Sequence, residues 1–82
     1  MMSAREMVLE LRDGKKMTQR ELARMLGVMP YVVSKWVSER AVPSDRNWVK
    51  LSALYEILRG VEIQYAGQAR DYAMSIGFGA NK

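Results

Sequence analysis

The sequence predicts an all-α fold, a compact bundle of four to five helices. Three observations lead there. The chain has 82 residues, which is one domain's worth with no room for a second core. Its apolar residues recur at three- and four-residue spacing over most of the length, the period of an amphipathic helix. Those stripes are punctuated by helix starts at Ser3, Thr18 and Ser44 and by stops at Gly14, Gly27 and Gly60. The composition, 49% apolar and 27% charged, is that of a globular protein. A chain this short buries only roughly 60% of its unfolded surface, so each large apolar side chain counts.

The first element opens with Ser3-Ala4-Arg5-Glu6, a capping box in which the serine and glutamate side chains satisfy each other's backbone N–H groups. Met7, Val8 and Leu11 follow on one face, and Asp13-Gly14 reads as a glycine C-cap, so the helix is expected over about 4–12. Thr18-Gln19-Arg20-Glu21 is a second capping box, with Leu22, Ala23 and Leu26 behind it and Gly27 as the stop. A helix of barely two turns does not hold alone in water and must be packed by neighbours. Pro30 suits the first turn of a third helix, over about 30–38, where its missing N–H costs nothing. Met29 is a poor N-cap for it. On a wheel of about 100° per residue this helix divides cleanly. Val32, Val33, Trp36 and Val37 need a core, whereas Tyr31, Ser34, Lys35 and Ser38 face outward. Ser44 caps a fourth helix over about 45–58, with Trp48, Leu51, Leu54, Tyr55 and Leu58 on one face. Val61 to Tyr65 alternates like a short strand, yet Val61, Tyr65, Ala69, Tyr72, Ala73 and Ile76 also form a helical stripe. Length favours a fifth helix over 61–76, and 77–82 is expected to be a flexible tail.

Composition excludes several classes of function. Without cysteine or histidine there is no disulfide framework, no thiolate metal site, and neither the commonest general base nor the commonest metal ligand. Paired carboxylates and a glycine-rich phosphate loop are also missing, so no enzyme, cofactor or metal is expected. No apolar run approaches the about 20 residues that span a bilayer, and the N-terminal segment lacks a signal-peptide core. A cytoplasmic protein without membrane contact is expected. The net charge of +4 is unevenly placed. Residues 15–50 carry eight basic side chains against Glu21, Glu39 and Asp45, whereas 1–14 are net −1 and 51–82 are neutral. A basic middle segment is the footprint of a surface that faces phosphate.

The middle of the chain is thus two short helices joined by a tight turn at Gly27, the second presenting polar groups outward. That is the helix-turn-helix plan, whose second helix enters a major groove about 12 Å wide. Leu11-Arg12, Met17 to Ala23, Leu26-Gly27-Val28, Val33-Ser34-Lys35-Trp36, Pro43-Ser44 and Lys50-Leu51 together resemble the Cro and phage-repressor type of helix-turn-helix, the XRE family. The resemblance covers about 7–58 without gaps. It implies a lambda-repressor-like bundle that binds operator DNA, usually as a dimer, and regulates transcription without catalysis. Size and type are similar to those of repressors from bacteriophages and mobile elements, acting in a bacterial cytoplasm at the nucleoid. The chain departs from the family pattern in three places. Met29 stands where a serine or threonine cap is usual. Pro30-Tyr31 stands where small polar residues or glutamine are usual, and Val37-Ser38-Glu39 replaces a frequent glutamate-x-glycine.

On this reading residues 1–60 form the DNA-binding domain and 61–76 a dimerisation element. Base contacts are expected from Tyr31, through its ring or hydroxyl, and from Lys35, which can reach guanine O6 or N7. Ser34, Ser38 and Pro30 are further candidates, although Ser34 can equally bond its own helix and Pro30 is already explained by its helix position. The resemblance assigns Gln19 to backbone phosphate, at the positive end of its helix. Arg20, Arg40, Arg46 and Asn47 are candidate phosphate contacts. Val61, Tyr65, Tyr72 and Ile76 are the candidate homodimer surface. The partners expected are a double-stranded DNA operator and a second copy of the chain. The alternative is an antitoxin or other interaction module that uses the same fold to bind a protein partner, motivated by Met29-Pro30-Tyr31 and the aromatic residues Tyr65, Tyr72 and Phe78.

Overall fold

The computed structural model describes residues 2–79. It contains α1 (Ala4–Leu9), which runs on into a π-helical turn (Glu10–Gly14), α2 (Gln19–Leu26), α3 (Pro30–Val37), α4 (Asp45–Leu58) and α5 (Gln68–Ser75). No strand occurs among the described residues. The all-α bundle and the order of its first four helices are as the sequence predicts.

Local chemistry accounts for most of the boundaries. Ser3 Oγ accepts from the Glu6 N–H at 3.1 Å and Glu6 Oε1 accepts from the Ser3 N–H at 2.8 Å, so the first capping box is complete. The second is only half made. Thr18 Oγ1 accepts from the Glu21 N–H at 2.9 Å, but Glu21 turns instead to Arg70, 3.4 Å away at the start of α5. Met29 caps α3 without a side-chain bond, and Pro30 occupies the first turn. Ser44 Oγ accepts from the Asn47 N–H at 3.3 Å and starts α4.

Three helices end in one motif. After α2, Gly27 is left-handed at φ 75°, its N–H donates to Arg24 O, and Val28 N–H donates to Ala23 O. This is the Schellman arrangement. Glu39 and Arg40 repeat it after α3, on Trp36 O and Lys35 O, with Glu39 at φ 62°. Gly77 and Phe78 repeat it after α5, on Met74 O and Ala73 O.

Two expectations are corrected. Gly14 is not the left-handed cap of α1: the helix widens into the π turn and Lys16 carries the positive φ, 58°. The added residue brings Met17 into the core beside Leu11, and Met17 N–H closes the turn on Leu11 O at 3.1 Å. Nor does a helix run over 61–76. Residues 61–67 are irregular, neither helix nor strand, and α5 begins only after Gly67, at φ 92°. Ile63 turns into the core, Val61 O accepts from Lys15 Nζ at 2.6 Å, and Gln68 Oε1 accepts from the Gln64 N–H at 2.6 Å. These bonds satisfy backbone that a helix would have used internally.

The core is built from Val8, Leu11, Met17, Leu22, Ala23, Leu26, Val33, Trp36, Leu51, Leu54, Leu58, Ile63, Ala69 and Ala73, with no buried polar residue among those described. Each fully buried leucine contributes roughly 1.5–3 kcal/mol relative to exposure. Residues 77–79 also depart from the expected tail, because Phe78 is half-buried against this core; residues 80–82 lie outside the described residues. At the far end, Tyr55 Oη donates to Glu10 Oε1 at 2.8 Å, which raises the phenol above its ordinary value.

Candidate nucleic-acid interface

Helix α3 is positioned by what lies beneath it and by what grips its exit and the end of the helix before it. Val33 and Trp36 are buried, and α3 packs on both α2 and α1. Ala23 is buried on α2, where its small side chain lets the helices approach. Two cations from outside the motif then bind terminal carbonyls. Lys50 Nζ on α4 donates to Leu26 O, the last residue of α2, at 3.2 Å. Arg5 Nε on α1 donates to Val37 O, the last residue of α3, at 2.8 Å. Such carbonyls have no partner within their own helix, and a cation there also opposes the negative end of the helix dipole. The elbow and the exit of α3 are therefore both clamped.

The outward face is as the wheel places it. Tyr31 is 60% exposed, and Pro30, Ser34, Lys35 and Ser38 are exposed with it. Lys35 Nζ stands 5.5 Å from the centroid of the Tyr31 ring, within range of a cation–π attraction. The phenol and the ammonium thus form one probe one helical turn long. Ser38 is engaged locally: its hydroxyl donates to Lys35 O at 3.3 Å and accepts from Arg40 Nε at 3.2 Å. The serine holds the guanidinium beside the end of α3 and has less left to offer a base.

The phosphate candidates fall into separate groups. Gln19 is half-buried at the start of α2 and Arg20 is exposed. Arg20, Arg24, Val28 and Pro30 share a shallow cleft between α2 and the start of α3. Arg40 sits at the exit of α3. Asn47 is half-buried and its backbone N–H is used by the Ser44 cap. Arg46 is exposed and lies not with Arg40 but with Arg24 and Lys50, around a second hollow between α2 and α4. Arg5 and Lys50 were not singled out from the sequence, because their acceptors lie 32 and 24 residues away.

On the C-terminal side, Tyr65 (59% exposed), Tyr72 (39%) and Ile76 (55%) are open, and so is Met74 (57%), which the sequence did not single out. Val61 is half-buried against the core. Among the described residues, no group of acidic side chains could hold a metal ion and no helix is long and apolar enough to cross a membrane.

A family model described as helix-turn-helix matches residues 8–59, from the last turn of α1 to the end of α4. No match was found among curated proteins or among solved structures. The matched span is more than half of the chain and contains the elbow at Gly27, the outward face of α3 and the Lys50 clamp, whereas Arg5 lies just before it. The chain belongs to the Cro/XRE-type helix-turn-helix family, a family of DNA-binding transcription regulators.

Proposed function

We propose that this protein is a sequence-specific repressor, of the kind carried by bacteriophages and mobile elements, that reads an operator major groove with α3 as a homodimer. It acts in the cytoplasm of a bacterial host, at the nucleoid. One observation carries the reading: the Tyr31–Lys35 pair stands exposed on the outward face of α3, whose last carbonyl is held by Arg5 and whose preceding elbow is held by Lys50. A lysine there can bond guanine O6 or N7, and an aromatic ring can lie against a thymine methyl. Ser34 and Pro30 border the same contact. Gln19, Arg20, Arg40, Arg46 and Asn47 take backbone phosphates, which set register without reading sequence.

Dimerisation rests on the exposed apolar residues Tyr65, Tyr72 and Ile76, to which Met74 adds; Val61, half-buried against the core, is the remaining candidate. Two copies would read half-sites about 34–36 Å apart.

Selection of bound sequences from a random duplex pool tests the whole reading, with an inverted repeat as the expected product. Lys35→Ala should blur base preference, at a cost of about 1–3 kcal/mol at the guanine position. Arg40→Ala should weaken all sequences alike and flatten the salt dependence by about one phosphate contact. Binding indifferent to salt, or equal effects of both variants on preference, overturns this division of labour. For the dimer, Ile76→Asp should give a monomer in sedimentation without loss of helix. If the parent chain is itself monomeric and captures a different protein through Tyr65 and Tyr72, the interaction-module reading replaces the dimer.

A further inference from the structure

The hollow between α2 and α4 lies off the Tyr31–Lys35 probe and has a chemistry of its own. Its volume is about 510 Å³, within the range of about 300–1,000 Å³ typical of small-molecule sites. Arg24 enters from the last turn of α2, Arg46 and Lys50 from successive turns of α4, and Phe78 from the Schellman turn after α5. Among the described residues, no carboxylate lines it. The ion pairs among the described residues engage Arg12, Arg59 and Arg70, and none engages Arg24, Arg46 or Lys50. Three like charges around a wet hollow repel one another, and a bound anion relieves that repulsion. Lys50 spends one ammonium N–H on Leu26 O and retains two. Phe78 supplies the one flat apolar wall, held in place by its backbone bond to Ala73 O at 3.0 Å and by its packing on the core.

We propose that this hollow binds a small phosphorylated molecule that carries a planar ring, with the chemistry of a mononucleotide. The phosphate lies among Arg24, Arg46 and Lys50, and the ring lies against Phe78. Arginine forks and a lysine ammonium together suit a phosphate's oxygens, and an aromatic wall is what a base or similar ring stacks on. Gly27 borders the same space, so the occupant touches the elbow that aims α3. The site shares Arg46 with the candidate DNA-phosphate contacts, so the monophosphate and the DNA backbone would compete for that guanidinium.

The test is an amide NMR titration of the 82-residue chain with adenosine monophosphate, inorganic phosphate, adenosine and a short duplex DNA. The monophosphate should shift Gly27, Lys50 and Gly79 saturably, more tightly than phosphate or adenosine. Arg24→Gln with Arg46→Gln should weaken it by about tenfold or more. Phe78→Leu should reduce its affinity to that of inorganic phosphate and leave phosphate itself unchanged. Absence of saturable shifts, shifts that survive the double arginine variant, or binding of adenosine as tight as that of the monophosphate overturns the proposal. So does the pattern in which duplex DNA moves these amides and the monophosphate does not, which would assign the three cations to the DNA backbone. The double arginine variant alters exposed side chains only, so the test stands even if Phe78→Leu fails to fold.

Discussion

At Gly27, where α2 gives way to α3, and at Glu39, where α3 gives way to the loop before α4, the backbone does the same thing. Each residue is left-handed, each turn closes the same pair of hydrogen bonds, and each helix has its last carbonyl held by a cation from another helix. The residues differ. The entrance uses glycine, followed by Val28, which packs on the core. The exit uses glutamate, followed by the exposed Arg40. Glycine adopts this conformation freely, whereas an L-residue with a Cβ loses roughly 1–2 kcal/mol. The entrance is therefore relaxed and apolar, and the exit is strained and charged. Glu39 stands where the resembling family often has glycine, and Arg40 at the next position is a phosphate candidate. The chain accepts strain on the side of α3 where it also exposes the guanidinium of Arg40.

The difference can be broken most forcefully at the entrance. Gly27→Val should destabilise the fold by about 2 kcal/mol in urea or thermal unfolding, since a β-branched residue is forced into the left-handed region. The Cβ itself has room: at Gly27 it would meet only Lys50 Nζ, at 3.6 Å. Gly27→Asn, which tolerates that conformation, should recover most of the loss; equal damage from both would show that conformation is not what matters. Next comes the clamp. Lys50→Met should cost about 1 kcal/mol, and Arg5→Met less, because the Leu26 carbonyl is partly buried whereas the Arg5 bond is exposed. A larger loss from Arg5→Met would reverse the order of the two ends.

At the exit the sign changes. Glu39→Gly should stabilise the protein by about 0.5–1 kcal/mol, the relieved strain less the added freedom of the unfolded chain. It should also tighten DNA binding by removing an acid beside Arg40. A destabilised Glu39→Gly protein would refute the strain argument. The smallest effect belongs to a control remote from both turns. Tyr55→Phe removes the bond to Glu10. The phenol's folded pKa is raised above its ordinary 10.0, so its contribution is complete below that value and fades as pH rises through the folded value. The parent should lose stability on the alkaline side relative to Tyr55→Phe, while the contrast between Gly27 and Glu39 stays unchanged across the same titration.

These two turns also show what a sequence reveals. Gly27 was legible because a glycine after a two-turn apolar stripe has a local explanation. The left-handed Glu39 was not, because nothing in Val37-Ser38-Glu39-Arg40 marks it except departure from a family habit. The same contrast runs through the fold. Helices α2, α3 and α4 could be bounded from their caps and stripes, which act within one turn. The π turn after α1 could not, since it exists to carry Met17 into the core. Residues 61–67 misled for a related reason: Val61, Tyr65 and Ala69 have helical spacing, but Ile63 claims the core and Lys15 claims a backbone carbonyl. In the candidate interface, wheel geometry placed Tyr31, Ser34 and Lys35 outward. It was blind to Arg5 and Lys50, whose acceptors are distant in sequence, and to Ser38, whose hydroxyl is occupied by Arg40 and its own helix.

Lys35 leans on Tyr31, and both stand outside the packed interior. Swapping either one leaves the scaffold's stability nearly untouched, as surface changes away from caps and buried contacts usually do. If the proposed reading of α3 holds, a lineage carrying this domain can alter what it recognises by mutating a two-residue patch, without first having to repair the fold that carries it.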